Sequence, residues 1–435
     1  MKARFILLPL ILFFAAGSLS AELVFGGTGE IYSQLLVEPG HVGRSRIGWD
    51  TRFSPILAID SPSYDLFFRS SFSYEDNAEQ ISTQIDELYL VLDPLPFLQL
   101  RLGRFSYLAG TALFLSNTRY FVRRDLEELL TGRIEKVELA GDMAQLSFFL
   151  ADHYLRLTAA PFTGRALIPD PGSPWFPDKD LPGSITVYFP TTKVLVLDNL
   201  SLEEAELPPF NLQNLSASLE LGGTIYPVDY ALLYYHGSDN SPLVKAAFEF
   251  PQGLYESYDI ILTPVSRSID ALGLNLALQL GPFTFWTDDS FTSAKTFLTN
   301  RLSSAAMETA LAQQPYLELC LGMSYRPPFV DGLLAVEYRD GFVFGQDDPV
   351  IEPLLSSVLV VLLQLDLWDG KLSPSVTWIE SLHDPSRAVS LRVSFRPAME
   401  LEARLSAPLF FGPADSELGQ FRENYLLSAG VIWRF

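Results

Sequence analysis

The chain has 435 residues, 52 of them acidic and 30 basic, giving a formal charge of −22; 48% are hydrophobic, 13% aromatic, and the mean hydropathy is +0.18. So acidic a chain is not expected to hold nucleic acid, and its one cysteine, Cys320, excludes an internal disulfide framework. A positive hydropathy without an apolar run long enough for a spanning helix leaves a large β core or strands that face lipid.

Lys2 and Arg4 open the chain, Phe5–Ala16 is an apolar run broken only by Pro9, and small residues follow through Ala21. This is the layout of a secretory signal. Ser18 and Ser20 supply the small side chains a signal peptidase needs, so residues 1–20 are expected to be cleaved, leaving 21–435 as a single domain. The run is too short for a helical span, which needs about 20 residues. Losing Lys2 and Arg4 takes the charge from −22 to −24.

The rest of the chain repeats one pattern, in which about 9–14 residues alternate apolar and polar before a turn. Gly26-Gly27-Thr28-Gly29 falls in the first expected strand with no helix behind it, and reads as a bend in a wall. Leu66, Phe68, Phe72 and Tyr74 face away from Asp65, Arg69, Ser71 and Ser73. Leu88, Leu90 and Leu92 lead into a turn at Asp93–Pro96; Leu98, Leu100 and Leu102 then oppose Gln99, Arg101 and Gly103. Leucines at even positions from Leu272 to Leu280 alternate with Gly273, Asn275, Ala277 and Gln279. Leu317, Leu319, Leu321 and Met323 oppose Glu318, Cys320, Gly322, Ser324 and Arg326. Leu334, Val336 and Tyr338 alternate with Ala335, Glu337 and Arg339. Val358–Leu365 is apolar almost throughout and of strand length. Val389, Leu391, Val393 and Phe395 oppose Ser390, Arg392, Ser394 and Arg396, and Leu401, Ala403 and Leu405 oppose Glu400, Glu402 and Arg404.

Period-two alternation puts successive side chains on opposite faces. Soluble strands average about 5–6 residues, whereas a tilted membrane strand needs about 9–11. In lipid the sheet must also close, because an edge would leave backbone groups unpaired. The expected fold is all-β, a transmembrane antiparallel β-barrel with an even number of strands, about 16–22 and best placed at 18–20.

Short connections fall at Asp93–Pro96, Gly281-Pro282, Val330–Gly332, Asp369-Gly370 and Pro397-Ala398, and long ones near 109–133, 164–213, 292–314, 345–352 and 408–420. Outer-membrane barrels keep short turns in the periplasm and long loops outside. Segment 164–213 is expected as a long loop able to fold into the lumen, with Ile185–Phe189 and Lys193–Leu197 as a potential hairpin. Ser303–Gln314 is rich in helix formers and predicts a short helix.

Tyr425, Leu427, Ala429, Val431, Trp433 and Phe435 share one face of the last segment. An alternating strand ending in Phe resembles the C-terminal signature by which outer-membrane barrels are recognised for insertion. Asp86–Gly110 resembles a hairpin of large porin-like families: an acidic-aromatic strand, a short Pro turn, a strand ending in Gly103-Arg104, then Tyr107 and Gly110. These resemblances imply a porin-like outer-membrane barrel. Its partners would be outer-membrane lipid and, during insertion, the barrel-assembly machinery, with Tyr425, Val431, Trp433 and Phe435 carrying the insertion signal.

An Arg or Lys facing lipid at mid-membrane costs about 2–4 kcal/mol. The lumen is therefore where Arg69, Arg101, Glu318, Arg326, Glu337, Arg339, Arg392, Arg396, Glu400, Glu402 and Arg404 are expected. The 23 arginines against 7 lysines suit planar pairing with carboxylates. Such rows either line an aqueous channel or brace the wall, and net acidity would bias an open pore toward cations. The expected function is an outer-membrane channel for passive or substrate-selective diffusion of small polar solutes. The alternative is a plugged or narrow barrel that passes an apolar ligand, or a surface protein whose loops meet a partner. His41, His153, His236 and His383 lie near strand ends or loops, and neither GxSxG nor HExxH occurs, so no enzyme, metal or cofactor is expected.

Overall fold

The computed structural model describes residues 22–37, 45–61, 64–75, 80–107, 109–114, 116–133, 137–161, 166–171, 173–177, 184–188, 192–203, 214–241, 243–250, 257–303, 308–345, 350–351 and 355–435. The expected export signal lies outside the described residues.

The alternating segments become one antiparallel meander. Its N-terminal half comprises β1 (Glu22–Val37), β2 (Ser45–Ser61), β3 (Tyr64–Glu75), β4 (Gln80–Leu95), β5 (Leu98–Phe105), β8 (Gly141–Leu150), β9 (His153–Ala160), β12 (Ser216–Ile225) and β13 (Val228–Ser238). Its C-terminal half comprises β16 (Ser268–Leu280), β17 (Phe283–Ser303), β18 (Glu308–Tyr325), β19 (Gly332–Val343), β21 (Val358–Leu365), β22 (Leu372–Ser381), β23 (Arg387–Ala398), β24 (Leu401–Phe411) and β25 (Tyr425–Arg434). Pairing of β25 with β1, from Thr28↔Arg434 to Val37↔Tyr425, closes a barrel of 18 strands. Among the described residues, seven further strands belong to loops: β6 (Arg123–Arg124), β7 (Glu138–Leu139), β10 (Ser184–Tyr188), β11 (Thr192–Leu202), β14 (Val244–Glu249), β15 (Ser257–Pro264) and β20 (Val350–Ile351).

The two faces of the wall divide as the alternation requires. Along β25, Tyr425, Leu427, Val431 and Trp433 are exposed on the outside, while Leu426, Ser428 and Ile432 are buried on the inside. Leu272, Leu321, Leu363, Leu391 and Leu405 continue the exposed apolar belt around the barrel. A belt of this extent is untenable in water and is what a hydrocarbon surround demands. Short connections such as Gly281-Pro282 and Ala151-Asp152 gather at one end, with Glu22 and Phe435, and the long loops at the other. These are called the turn end and the loop end below.

Two sequence expectations are corrected here. The described part of Ser303–Gln314 is strand rather than helix: Glu308–Gln314 belongs to β18 and Ser303 ends β17, and 304–307 lie outside the described residues. Helix propensities differ by only a fraction of a kcal/mol per residue. Here that preference loses to backbone pairing with β17 and to a neighbouring strand, since Ala247 of β14 meets Glu308. β17 and β18 have 21 and 18 residues, so their loop-end halves stand clear of a bilayer crossed in about 9–11 residues. Pro397-Ala398 lies within β23 rather than in the turn, which is Met399-Glu400. A break in register between Phe395 and Ala398 accommodates Pro397, which has no N–H to give the ladder.

Beyond the loop end, β10 pairs antiparallel with β11, β11 parallel with β15, and β15 antiparallel with β14. Ala246, Tyr258, Ile260 and Leu262 form the apolar core of this small sheet.

Candidate functional site: the barrel lumen

The segment 106–140, between β5 and β8, turns inward and crosses the lumen. It begins with the hairpin singled out in the sequence. Gly103 has φ +127, and a Cβ there would run into the Leu88 carbonyl oxygen, so only glycine fits. Arg104 then bonds Asp142 through Nε at 2.9 Å. Tyr107 is buried and donates to Glu220, which also accepts from the Tyr154 hydroxyl at 2.5 Å and from Arg156 at 3.3 Å.

Gly110, at φ +88, brings the loop against β17, where a Cβ would meet Ser116 Oγ and Asp288 Oδ2. Asp288 is fully buried and holds the loop from the wall. Its Oδ1 accepts from the backbone N–H groups of Asn117 and Thr118 at 3.0 and 3.1 Å. Its Oδ2 accepts from Thr111 N–H at 3.1 Å, Ala112 N–H at 3.4 Å and the Ser116 hydroxyl at 2.6 Å. Glu337 accepts from Leu113 N–H at 2.8 Å and Trp286 Nε1–H at 3.2 Å. Further along, Tyr120 stacks on Tyr235 at 4.5 Å and donates to Ser290 at 2.8 Å. Asn240 reaches over from β13's loop to bond the carbonyls of Arg119 and Val122 at 3.1 and 3.0 Å.

A short α-helix, α1 (Leu126–Leu130), is capped by Asp125, whose side chain accepts from Glu127 and Glu128 N–H. Its Leu129 and Leu130 pack on inward residues of the opposite wall, Val358, Val360, Ala388 and Phe410. Trp175, from segment 164–213, joins the same cluster against Phe410 and Phe421. This explains why Val358–Leu365 is apolar on both faces: one meets lipid, and much of the other meets the inserted loop.

The charges expected in the lumen mostly take inward positions and form local pairs. Arg69 pairs with Glu87 at 3.2 Å, and Arg52 with Asp86 at 3.1 Å. A break in register opposite Arg69 and Ser70 lets adjacent Asp86 and Glu87 both serve the inner face. Arg101 lies over the rings of Tyr89 and Phe105, 3.9 and 4.1 Å from their centroids. Buried Glu318 is held by Lys295 at 3.5 Å and Arg339 at 2.9 Å. Glu402, fully buried, is ringed by Arg396, Arg404 and Arg434 at 3.1, 2.9 and 2.7 Å. Arg392 donates to the Gly132 carbonyl and so meets the far end of the inserted loop.

Two expected lumen residues lie elsewhere. Arg326 is exposed in the turn after β18, because Pro327 and Pro328 cannot extend the ladder. Glu400 is exposed in the two-residue turn between β23 and β24. Asp288, Glu220 and Lys295 are among the inward groups that sequence reading did not single out. Asp288 stands in an otherwise alternating strand at the parity of Trp286 and Ser290, which was the available signal.

Tyr425, Val431, Trp433 and Phe435 all point outward, 50, 46, 54 and 39% exposed. Phe435 stacks on Phe53 at 5.7 Å, and its backbone exchanges two hydrogen bonds with Gly27 at 3.0 and 3.1 Å. The last residue therefore sits on the closing seam.

Between the inserted loop and the wall lies a cavity of about 310 Å³. Strand register orders its wall into rungs: Glu337–Val360, then Ala335–Leu362–Thr377–Ser390, then Gln364–Ser375–Arg392 nearest the turn end. Leu113 and Phe114 of the loop face it from the lumen side. Elsewhere, Ser356 Oγ lies 3.2 Å from His383 Nε2, but Ser356 is only 2% exposed and cannot present a nucleophile.

No protein-family model matches the chain, and no curated protein matches it in sequence. Among solved structures it is similar to a mutant of Rh. blastica porin, with TM-score 0.42 and 9% identity over 95% of this chain and 100% of that one. It is also similar to Salmonella typhi OmpF in complex with daunomycin, with TM-score 0.41 and 8% identity over 95 and 97%. A third is a loop-deletion mutant of OmpT, an outer membrane protein of Vibrio cholerae, with TM-score 0.38 and 10% identity over 95 and 99%.

Proposed function

We propose that the protein is an outer-membrane channel through which small polar solutes diffuse, narrowed by the inserted loop 106–140. The observation that carries this reading is the barrel itself: 18 strands, a lipid-type outer face, and an inner face of paired Arg and carboxylate groups. A barrel of eight strands fills with its own side chains, whereas about 16–18 strands leave room for water. Residues 1–20 direct export, the turn end faces the periplasm, and the outward aromatic seam at Phe435 meets the assembly machinery. The test is single-channel recording of the full-length folded protein in planar bilayers, with reversal potentials in asymmetric salt. Stepwise conductance supports the reading, and a heat-modifiable, correctly folded barrel without conductance refutes it.

A second reading, a narrow barrel that handles an apolar ligand, is favoured by the apolar cluster inside the lumen around Leu129, Val360 and Phe410. Uptake of an uncharged apolar solute into loaded liposomes, at a rate exceeding that of a polar solute of equal size, would select it.

A further inference from the structure

We propose that the cavity beneath Leu113 and Phe114 binds a small uncharged ring that carries hydroxyl groups on one edge, the chemistry of a phenol or a catechol. The proposal rests on the channel reading for the ring's passage and on the cavity alone for its binding.

The cavity, of about 310 Å³, is at the small end of the range of ligand sites, which runs from about 300 to 1,000 Å³. Leu113 and Phe114 of the inserted loop cover it from the lumen side. Strand register divides the wall beneath them into two patches. Ala335, Val360 and Leu362, on β19 and β21, make an apolar patch. Ser375, Thr377 and Ser390, on β22 and β23, make a hydroxyl patch beside it. Leu362 pairs with Thr377 and Thr377 with Ser390, so one rung passes from carbon to hydroxyl within a strand spacing, about 5 Å. Leu362 to Ser390 is two spacings, about 10 Å, which admits a single ring with its substituents.

The hydroxyl patch is what points to a ligand. Among the described residues, none bonds the side chains of Ser375, Thr377 or Ser390, although Thr377 is only 6% exposed. Buried hydroxyls are ordinarily partnered. Each is at once donor and acceptor, and an uncharged group that answers both roles is another hydroxyl. The apolar patch then takes the body that carries it, a flat ring lying between Phe114 and Leu362. A pyranose also has apolar faces, but it bears hydroxyls around its whole rim, and several would be left against Leu113, Ala335 and Val360.

Charge gives no reason for an ion here. Glu337 and Arg392, of opposite sign, both border the cavity. Glu337 accepts from Leu113 N–H and Trp286 Nε1–H at 2.8 and 3.2 Å, and Arg392 donates to the Gly132 carbonyl besides its other contacts. Asp366 stands behind Gln364, accepting from its amide at 3.3 Å and from Ser373 at 2.6 Å. An ion entering the cavity would give up its hydration among charges that are already engaged, a cost an uncharged ring does not meet.

The test is calorimetric titration of the full-length folded protein in detergent, with titration into detergent alone subtracted. The probes are catechol, 1,2-dimethoxybenzene, benzoate, benzylammonium and methyl glucoside. Catechol is expected to give saturable heat at one site, at least about tenfold more tightly than any of the other four. Thr377→Val keeps the shape and removes the hydroxyl, and should weaken catechol about 3–10-fold. Ser390→Ala should act likewise and serves if Thr377→Val does not fold; Leu362→Ala should weaken catechol by withdrawing the surface under the ring. Absence of saturable heat, equal affinity for 1,2-dimethoxybenzene, tighter binding of either ion or of the glucoside, or indifference to both hydroxyl variants overturns the site. Single-channel recording of the same preparation keeps the two readings apart. Current without catechol binding overturns the site and leaves the channel intact, whereas catechol binding without current refutes the channel and keeps the site.

Discussion

Asp288→Ala should free the inserted loop without unfolding the barrel. The carboxylate is fully buried and accepts from four backbone N–H groups and the Ser116 hydroxyl. Each hydrogen bond to a charged acceptor is worth about 1.5–3 kcal/mol, but the five share one anion and do not add. Water in the lumen can also satisfy part of what is lost. Breaking a buried charged contact of this kind costs about 3–5 kcal/mol, and even 3 kcal/mol shifts a local equilibrium roughly a hundredfold. The strand ladders of β16, β17 and β18 do not pass through the Asp288 side chain, so heat-modifiable migration should be retained. Limited proteolysis of the folded protein should cut within 106–140 much faster, and single-channel records should become noisier. Asp288→Asn should fall between, because an amide must turn its N–H₂ toward one of the two donor sets. Cleavage and conductance identical to the unaltered protein would refute the claim that Asp288 holds the loop.

Gly110→Ala should produce a similar loop release by another route, since its φ of +88 and the nearness of Ser116 and Asp288 leave no place for a methyl group; the same proteolysis assay checks it, and an unchanged rate counts against the tight approach. Glu402→Gln leaves three guanidiniums around a neutral amide. Arg396 and Arg434 are 47 and 42% exposed, so solvent screening should hold the stability cost to about 1–3 kcal/mol, read from urea unfolding, while reversal potentials move toward anions. Phe435→Ala removes the ring stacked on Phe53 at the closing seam; it should slow folding into lipid vesicles and reduce the amount assembled in cells, measured by heat-modifiable band intensity.

What the sequence determined by itself was the wall. Alternation has a period of two, the same as the pleat, so each segment carried its own statement of which face meets lipid. Leu401, Ala403 and Leu405 against Glu402 and Arg404 needed no partner to be read, and strand length separated a membrane wall from a soluble sheet. Even Gly103-Arg104, Tyr107 and Gly110 were visible as a group, though not their purpose. Tertiary structure decided what fills the wall. Segment 106–140 has no periodicity that announces an inward course, because its hold on the lumen comes from Asp288, Glu337 and Glu220, far along the chain and brought within bonding distance only by closure. Ser303–Gln314 favoured a helix locally, yet pairing with β17 and the neighbouring edge of β14 made Glu308–Gln314 a strand. Local pattern is fixed by bond geometry, but contacts between distant segments are set by which surfaces remain to be covered once the barrel has closed.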